Sequence, residues 1–272
     1  MTRDVIAPVE APPSDERGVP TTNMVLHIPH DSMRIPPDRR DTFLLSDDAL
    51  QQELIAMTDS FTAELFDFSP HVPRVTFPVS RLIVDPERFV DDAREPMAAC
   101  GMGVVYTATS EGAVLRLAPT SSEREALLAA YYYPHHAALT RVVETALETF
   151  GSCVIIDCHS FPSRPRAYEL DTSPSRPDIC LGTDSFYTPV WLSDLCVGAF
   201  SAEGYSIEID SPYAGAIVPA TYFRSERRVS SIMVEINRGV YMDEARGLRL
   251  PDFPRQRAAV HRTLSAILAA LT

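Results

Sequence analysis

The stretch SCVIIDCHSFP (152–162) decides how this chain is read. Its first half, SCVIID (152–157), is a continuous apolar run of the kind that fills the centre of a parallel sheet covered on both faces. Its second half breaks off in Asp157, Cys158, His159 and Ser160, before Phe161 and Pro162. Reactive groups at the end of a buried strand are either an ordinary polar loop or a place for chemistry. The segments on either side decide between the two.

Upstream, MVLHI (24–28) is a short apolar run closed by Pro29, which has no N–H to give a sheet ladder. Ser46 followed by Asp47 and Asp48 marks a helix start, with acids at the positive end of the dipole. Leu50, Leu54, Met57, Phe61 and Leu65 then recur at helical spacing. RVTFPVSRLIVD (74–85) reads as strand interrupted by proline, hence two short strands or an edge. Residues 121–150 form a long helix, disturbed at Pro134 and stopped by Gly151. Downstream, DICLGT (178–183), YSIEID (205–210) and SSIMVEI (230–236) are strands, while VWLSDLCVGAFSAEG (190–204) and QRAAVHRTLSAILAAL (256–271) are helices. This alternation predicts an α/β fold: a three-layer α/β/α domain over 23–272 with a mixed, mainly parallel sheet. A proline-rich polar arm, 1–22, precedes it and has no apolar stretch of the signal-peptide kind.

The net charge of −13 argues against nucleic acid or an anionic membrane as partner. All 24 basic residues are arginine. The absence of lysine removes Schiff-base chemistry and the phosphate-loop lysine, and leaves arginine to hold any anionic substrate. Five cysteines, an odd number without a Cys-x-x-Cys pair, fit reduced thiols and a cytoplasmic setting. No apolar run reaches membrane-spanning length.

In sheets of this kind ligands sit beyond the carboxyl ends of the strands. Three groups fall there: His30 after MVLHIP, Asp157 with His159 after CVII, and Glu235 with Asn237 at the end of SSIMVEI. Histidines and a carboxylate at strand ends are the donors of a hydrolytic zinc site, which needs protein ligands, an open position and a nearby base. His30 and His159 are candidate ligands. Strand parity places His27 on the face opposite His30. Asp157 shares parity with His159 and is read either as orienting its imidazole or as ligating directly. Asp31 and His27 stay open as further candidates for a third ligand. Glu235 alternates with Ile232, Val234 and Ile236 and shares the other face with Asn237. A carboxylate in so apolar a strand is either paired with an arginine such as Arg238 or serves as a general base whose pKa is raised by burial. The chain has no Gly-x-Ser-x-Gly elbow, and Cys158 and His159 point to opposite sides of a strand. Tyr131 to Tyr133, His135 and His136 are read as helix packing and surface.

HIPHDSMRIP (27–36), SRLIVDPERF (80–89), IIDCHSFP (155–162), DICLGTD (178–184) and SIMVEINRGVYMD (231–243), in this order, resemble the N-formylglutamate amidohydrolase family. The resemblance implies a zinc carboxypeptidase-like fold, one zinc per chain, His30 and His159 as ligands, and Glu235 as the catalytic glutamate that activates water. It implies Asp59, in the pair Thr58-Asp59, as the third ligand, since the His-x-x-Glu pattern fails with Met33 after His30. The implied substrate is a small anionic N-acyl amino acid, N-formyl-L-glutamate, held by Arg81, Arg88 or Arg238. Members of the histidine-degradation type carry Pro-His-Ser-Gly where this chain has Pro-His-Asp-Ser. Alternatives on the same scaffold are a carboxypeptidase, a γ-glutamyl-type peptidase, and a non-catalytic binder of acidic small molecules.

Overall fold

The computed structural model describes residues 21–169 and 171–271; most of the expected N-terminal arm, residues 1–20, lies outside them. Six strands form the main sheet: β1 (Met24–Ile28), β2 (Arg74–Thr76), β3 (Cys153–Phe161), β4 (Ile179–Gly182), β5 (Ile207–Ile209) and β6 (Val229–Asn237). Their spatial order is β2-β1-β3-β6-β4-β5. The first four in that order run parallel, β4 is antiparallel to β6, and β5 is parallel to β4. The sheet is therefore mixed and mainly parallel, as its apolar, centre-type strands predict. A separate two-stranded ribbon pairs β7 (Met242–Asp243) with β8 (Leu248–Arg249).

Alternation along β1, β3 and β6 sends one set of side chains to each face. Leu26, Ile28, Val154, Ile156, Ile232, Val234 and Ile236 pack under α2 (Thr62–Phe66), α5 (Val190–Ala202) and α6 (Phe253–Leu271). On the other face Val25, Ile155 and Val229 pack under α4 (Tyr133–Phe150), through Leu139, Val142 and Val143. Each fully buried aliphatic side chain contributes about 1.5–3 kcal/mol, enough to fix both strand register and facing. The α4 layer covers only part of its face. Toward the carboxyl ends of β1, β3 and β6, the same rows continue into His27, Asp157, His159 and Glu235.

Three local readings change. Only 74–76 of the 74–85 stretch pairs in the sheet, because Pro78 ends the ladder. Val79, Leu82, Ile83 and Val84 are instead buried irregular chain, packed with Leu50 and Leu54 of α1 (Asp47–Met57). The helical run from Leu50 to Leu65 is broken between α1 and α2, where Phe61 takes a left-handed φ of 71°. For a residue with a Cβ that conformation is strained. It turns Asp59, which lies off the helix, inward to 1% exposure. Finally, β3 runs through to Phe161, so Asp157 and His159 stand within the strand rather than on the loop after it. The disturbance at Pro134 is a π turn over Leu128–Tyr132, between α3 (Ser121–Leu127) and α4. No helix of the described residues is long and apolar enough to cross a membrane.

Candidate metal centre and active site

Register builds the site. His27 pairs with Asp157 across β1 and β3, and His159 pairs with Glu235 across β3 and β6. Paired residues of neighbouring strands share a face, so all four side chains rise on one side of the sheet. His30 joins them from outside the ladder. Strand β1 ends at Ile28 and the chain turns at Pro29, which brings the His30 ring to 5.1 Å from that of His159. The parity argument that separated His27 from His30 therefore fails, since it assumed extended chain through residue 30. His27 lies within 3.5 Å of Glu87, and His30 within 3.9 Å of it.

The His30 Nε2–H donates to Asp85 Oδ1 at 2.8 Å. That fixes the tautomer and leaves Nδ1 with its lone pair. This Nδ1 is buried without a hydrogen-bond partner, and it faces Asp59 Oδ2 at 3.7 Å and Glu87 Oε2 at 3.9 Å. His159 has carboxylates on both sides: Asp59 Oδ2 3.1 Å from Nδ1, and Glu87 Oε2 and Asp157 Oδ1 each 3.1 Å from Nε2. Burial works against a charged His159 ring, but Glu87 and Asp157 outweigh it and raise its pKa well above the ordinary value. Burial alone would lift Asp59; the hydrogen bond from His159, the neighbouring His30 and the charge of Arg238 hold it well below the usual carboxylate range. Imidazole nitrogens facing carboxylates in a dry pocket are the donor set of a cation site, and imidazole with carboxylate suits zinc. The His30, Glu87 and His159 donors form one cluster with metal-binding spacing, and His27, Glu87 and Asp157 form another.

Glu235 is 8% exposed and its Oε2 has no hydrogen-bond partner. The pairing with Arg238 considered from sequence is not made: that guanidinium donates to Asp59 Oδ1 at 2.8 Å, to Ser160 Oγ at 3.1 Å and to Ala56 O at 2.6 Å. Burial, opposed by His159 and reinforced by Asp59, lifts the Glu235 carboxyl to about 7. A carboxyl poised there is half ionised near neutrality, as general base chemistry favours.

The remaining sequence candidates separate. Arg81 is held by Asp85 at 2.7 Å, and Tyr106 Oη–H donates to the same Oδ2 at 2.6 Å. Arg88 approaches Asp85 and Glu95 only at 3.8 and 3.9 Å, and its buried Nε has no hydrogen-bond partner. Asn237 accepts from Gly239 N at 3.0 Å and donates to Pro177 O at 3.0 Å, bracing the turn that carries Arg238. Asp31 accepts from Ala63 N at 3.2 Å and from Thr62 Oγ1 at 3.3 Å at the start of α2. Cys158 points into the opposite core, where burial first and then the charge of Asp157 push its thiol well up; it is no nucleophile.

The sequence profile of the N-formylglutamate amidohydrolase family matches residues 22–242. The chain belongs to the N-formylglutamate amidohydrolase family. It is 26% identical over 259 residues to the N-formylglutamate deformylase of Pseudomonas aeruginosa, covering 90% of this chain and 92% of that one. To the N-formylglutamate deformylase of Pseudomonas putida it is 27% identical over 230 residues, covering 81% and 82%. Its fold is similar to the crystal structure of N-formylglutamate amidohydrolase from Ralstonia eutropha, with a TM-score of 0.83, 23% identity and 96% of both chains covered. A solved gene product of Agrobacterium tumefaciens matches at a TM-score of 0.63 with 19% identity, over 91% of this chain and 92% of that one.

Three residues at this family member's site, Asp85, Glu87 and His135, were not singled out from sequence. Asp85 and Glu87 sit in DPER, where no periodicity distinguishes a buried acid from a solvated turn. His27, placed by parity on the face opposite His30, stayed open only as an alternative third ligand. His135, read as helix surface or packing, is 5% exposed, and its Nε2 lies 2.8 Å from His27 Nε2. The one available signal was clustering: His27, His30, Asp85 and Glu87 all flank prolines that end buried segments.

Proposed function

We propose that this chain hydrolyses the N-formyl amide of N-formyl-L-glutamate, giving formate and L-glutamate, with one zinc held by His30, Asp59 and His159. The observation that carries the proposal is the pairing of His159 with Glu235, which puts a carboxyl lifted to about 7 beside two imidazoles that face carboxylates. Both curated relatives are N-formylglutamate deformylases, which supports the substrate. When bound, zinc would polarise the formyl carbonyl and acidify water.

Glu235 takes a proton from the attacking water on its unpartnered Oε2. The water oxygen bonds to the formyl carbon, the C–N bond breaks, and Glu235 returns the proton to the departing amine nitrogen. Asp85 accepts from His30 Nε2–H, Asp59 accepts from His159 Nδ1–H and from Arg238, and His30 Nδ1 and His159 Nε2 are left without hydrogen-bond partners, so the donor set is positioned in advance. Of the three candidate arginines, Arg88 is the one whose buried Nε has no hydrogen-bond partner, and it binds a substrate carboxylate. Arg81 serves mainly to keep Asp85 ionised.

The test is formate release from N-formyl-L-glutamate by the zinc-loaded chain, alongside a formylated neutral amino acid, a C-terminal peptide and a γ-glutamyl peptide. Turnover of the first substrate in preference to the rest is expected. Exclusive turnover of either peptide, or of none, overturns the proposal.

A further inference from the structure

The His30 and His159 cluster uses only one side of Glu87. The other oxygen, Oε1, is buried without a hydrogen-bond partner and lies 3.5 Å from His27 Nδ1. Asp157 Oδ1 lies 2.7 Å from the same Nδ1. His27, Glu87 and Asp157 thus offer one imidazole and two carboxylates at metal-ligand spacing, beside the first cluster. His27 and Asp157 are 0% and 2% exposed.

The contacts of His27 point the same way. His135 donates from one ring nitrogen to the Thr76 carbonyl, and burial keeps it neutral. Its Nε2 therefore carries a lone pair and accepts from His27 Nε2–H at 2.8 Å. The remaining nitrogen of His27, Nδ1, faces Asp157 Oδ1 at 2.7 Å and Glu87 Oε1 at 3.5 Å. A buried carboxylate oxygen without a hydrogen-bond donor, as Glu87 Oε1 is, is costly unless a cation lies beside it. A histidine whose far N–H is held by a fixed acceptor is the arrangement that orients a metal ligand. The α4 residue His135 is that acceptor, held in place by an edge-on Phe77 ring at 5.1 Å.

We propose that His27, Asp157 and Glu87 bind a second divalent metal ion, with Glu87 bridging it to the first position through its two oxygens. The second ion fixes the Asp157 carboxylate that faces His159 Nε2, and so couples the two positions. This rests on the reading of His30, Asp59 and His159 as the first position, and its readout is metal count rather than activity.

The experiment strips the purified full-length chain with chelator, reloads it with excess zinc, removes free metal by dialysis, and counts zinc per folded chain. The wild type is expected to hold two. His27→Ala is expected to hold one while keeping the wild-type circular dichroism. Glu87→Gln, at a position less deeply buried than His27, is expected to lose the same ion first as zinc is lowered. A wild-type count of one overturns the second site and leaves the first reading standing; a count of zero overturns both. A count of two that persists in both variants assigns the second ion to some other place and overturns the proposal. If His27→Ala does not fold, the wild-type count with Glu87→Gln decides alone.

Discussion

His159 and Glu235 stand opposite each other on neighbouring parallel strands, and their side chains share the sheet face on which α4 packs. The imidazole donates toward Asp59 at 3.1 Å, while the glutamate keeps one oxygen without a partner. A ligand and a base are thereby spaced by backbone hydrogen bonds rather than by loop conformation. This is the most rigid placement a fold offers.

The metal reading makes the first prediction. His159→Ala removes an imidazole that faces Asp59, Asp157 and Glu87 together. Zinc bound at the first position should fall from one equivalent to near zero, measured by elemental analysis after dialysis. Full retention of zinc and turnover in this variant would show that His159 is no ligand.

Glu235→Gln separates chemistry from structure. The glutamine keeps the volume and loses the basic oxygen, so kcat should fall by roughly 10²–10⁴ with zinc content unchanged. Arg238 pairs with Asp59 rather than with this carboxylate, so folding should survive. A folded variant with wild-type kcat would remove Glu235 from the reaction.

Substrate charge is tested at the arginines. Arg88→Ala deletes a guanidinium whose Nε is unpartnered, and should cost about 1.5–3 kcal/mol toward N-formyl-L-glutamate, chiefly in KM. A formylated neutral amino acid should lose much less. Arg238→Ala should instead weaken zinc binding, because it leaves Asp59 Oδ1 without its 2.8 Å partner. Equal losses on both substrates for Arg88→Ala would count against carboxylate recognition there.

The lifted Glu235 carboxyl has a signature in the metal-free protein. Its ordinary value is 4.5 and burial moves it to about 7 in the folded chain. Between these values the folded state keeps a proton that the unfolded state has released. Stability from this group is thus full below about 4.5, declines as pH rises toward about 7, and is constant above. Denaturant melts of metal-free wild type and Glu235→Gln from about pH 5 to about pH 8 should show the wild type losing ground to the variant across that window. Parallel curves would mean that Glu235 titrates normally. With zinc bound the nearby cation favours the carboxylate, so the acid limb of activity should lie below about 7.

What the sequence determined by itself was layered and local. The apolar runs at 24–28, 153–157 and 230–236 could only be central strands, and their alternation with amphipathic helices implied a three-layer sheet. Because ligands gather at the carboxyl ends of such strands, His30, His159 and Glu235 stood out before any coordinates, and ordered motifs pointed to the family. Tertiary structure decided everything that depends on a turn or on register. The break at Phe61 swings Asp59 into the site, and the turn at Pro29 puts His27 and His30 around one carboxylate. The irregular segment after Pro78 delivers Asp85 and Glu87, while α4 delivers His135. The physical reason is that hydrophobic periodicity reports which face of a regular element is buried. It carries no information about where an irregular segment folds back, since that direction is set by long-range packing and by charges seeking partners in a dry interior.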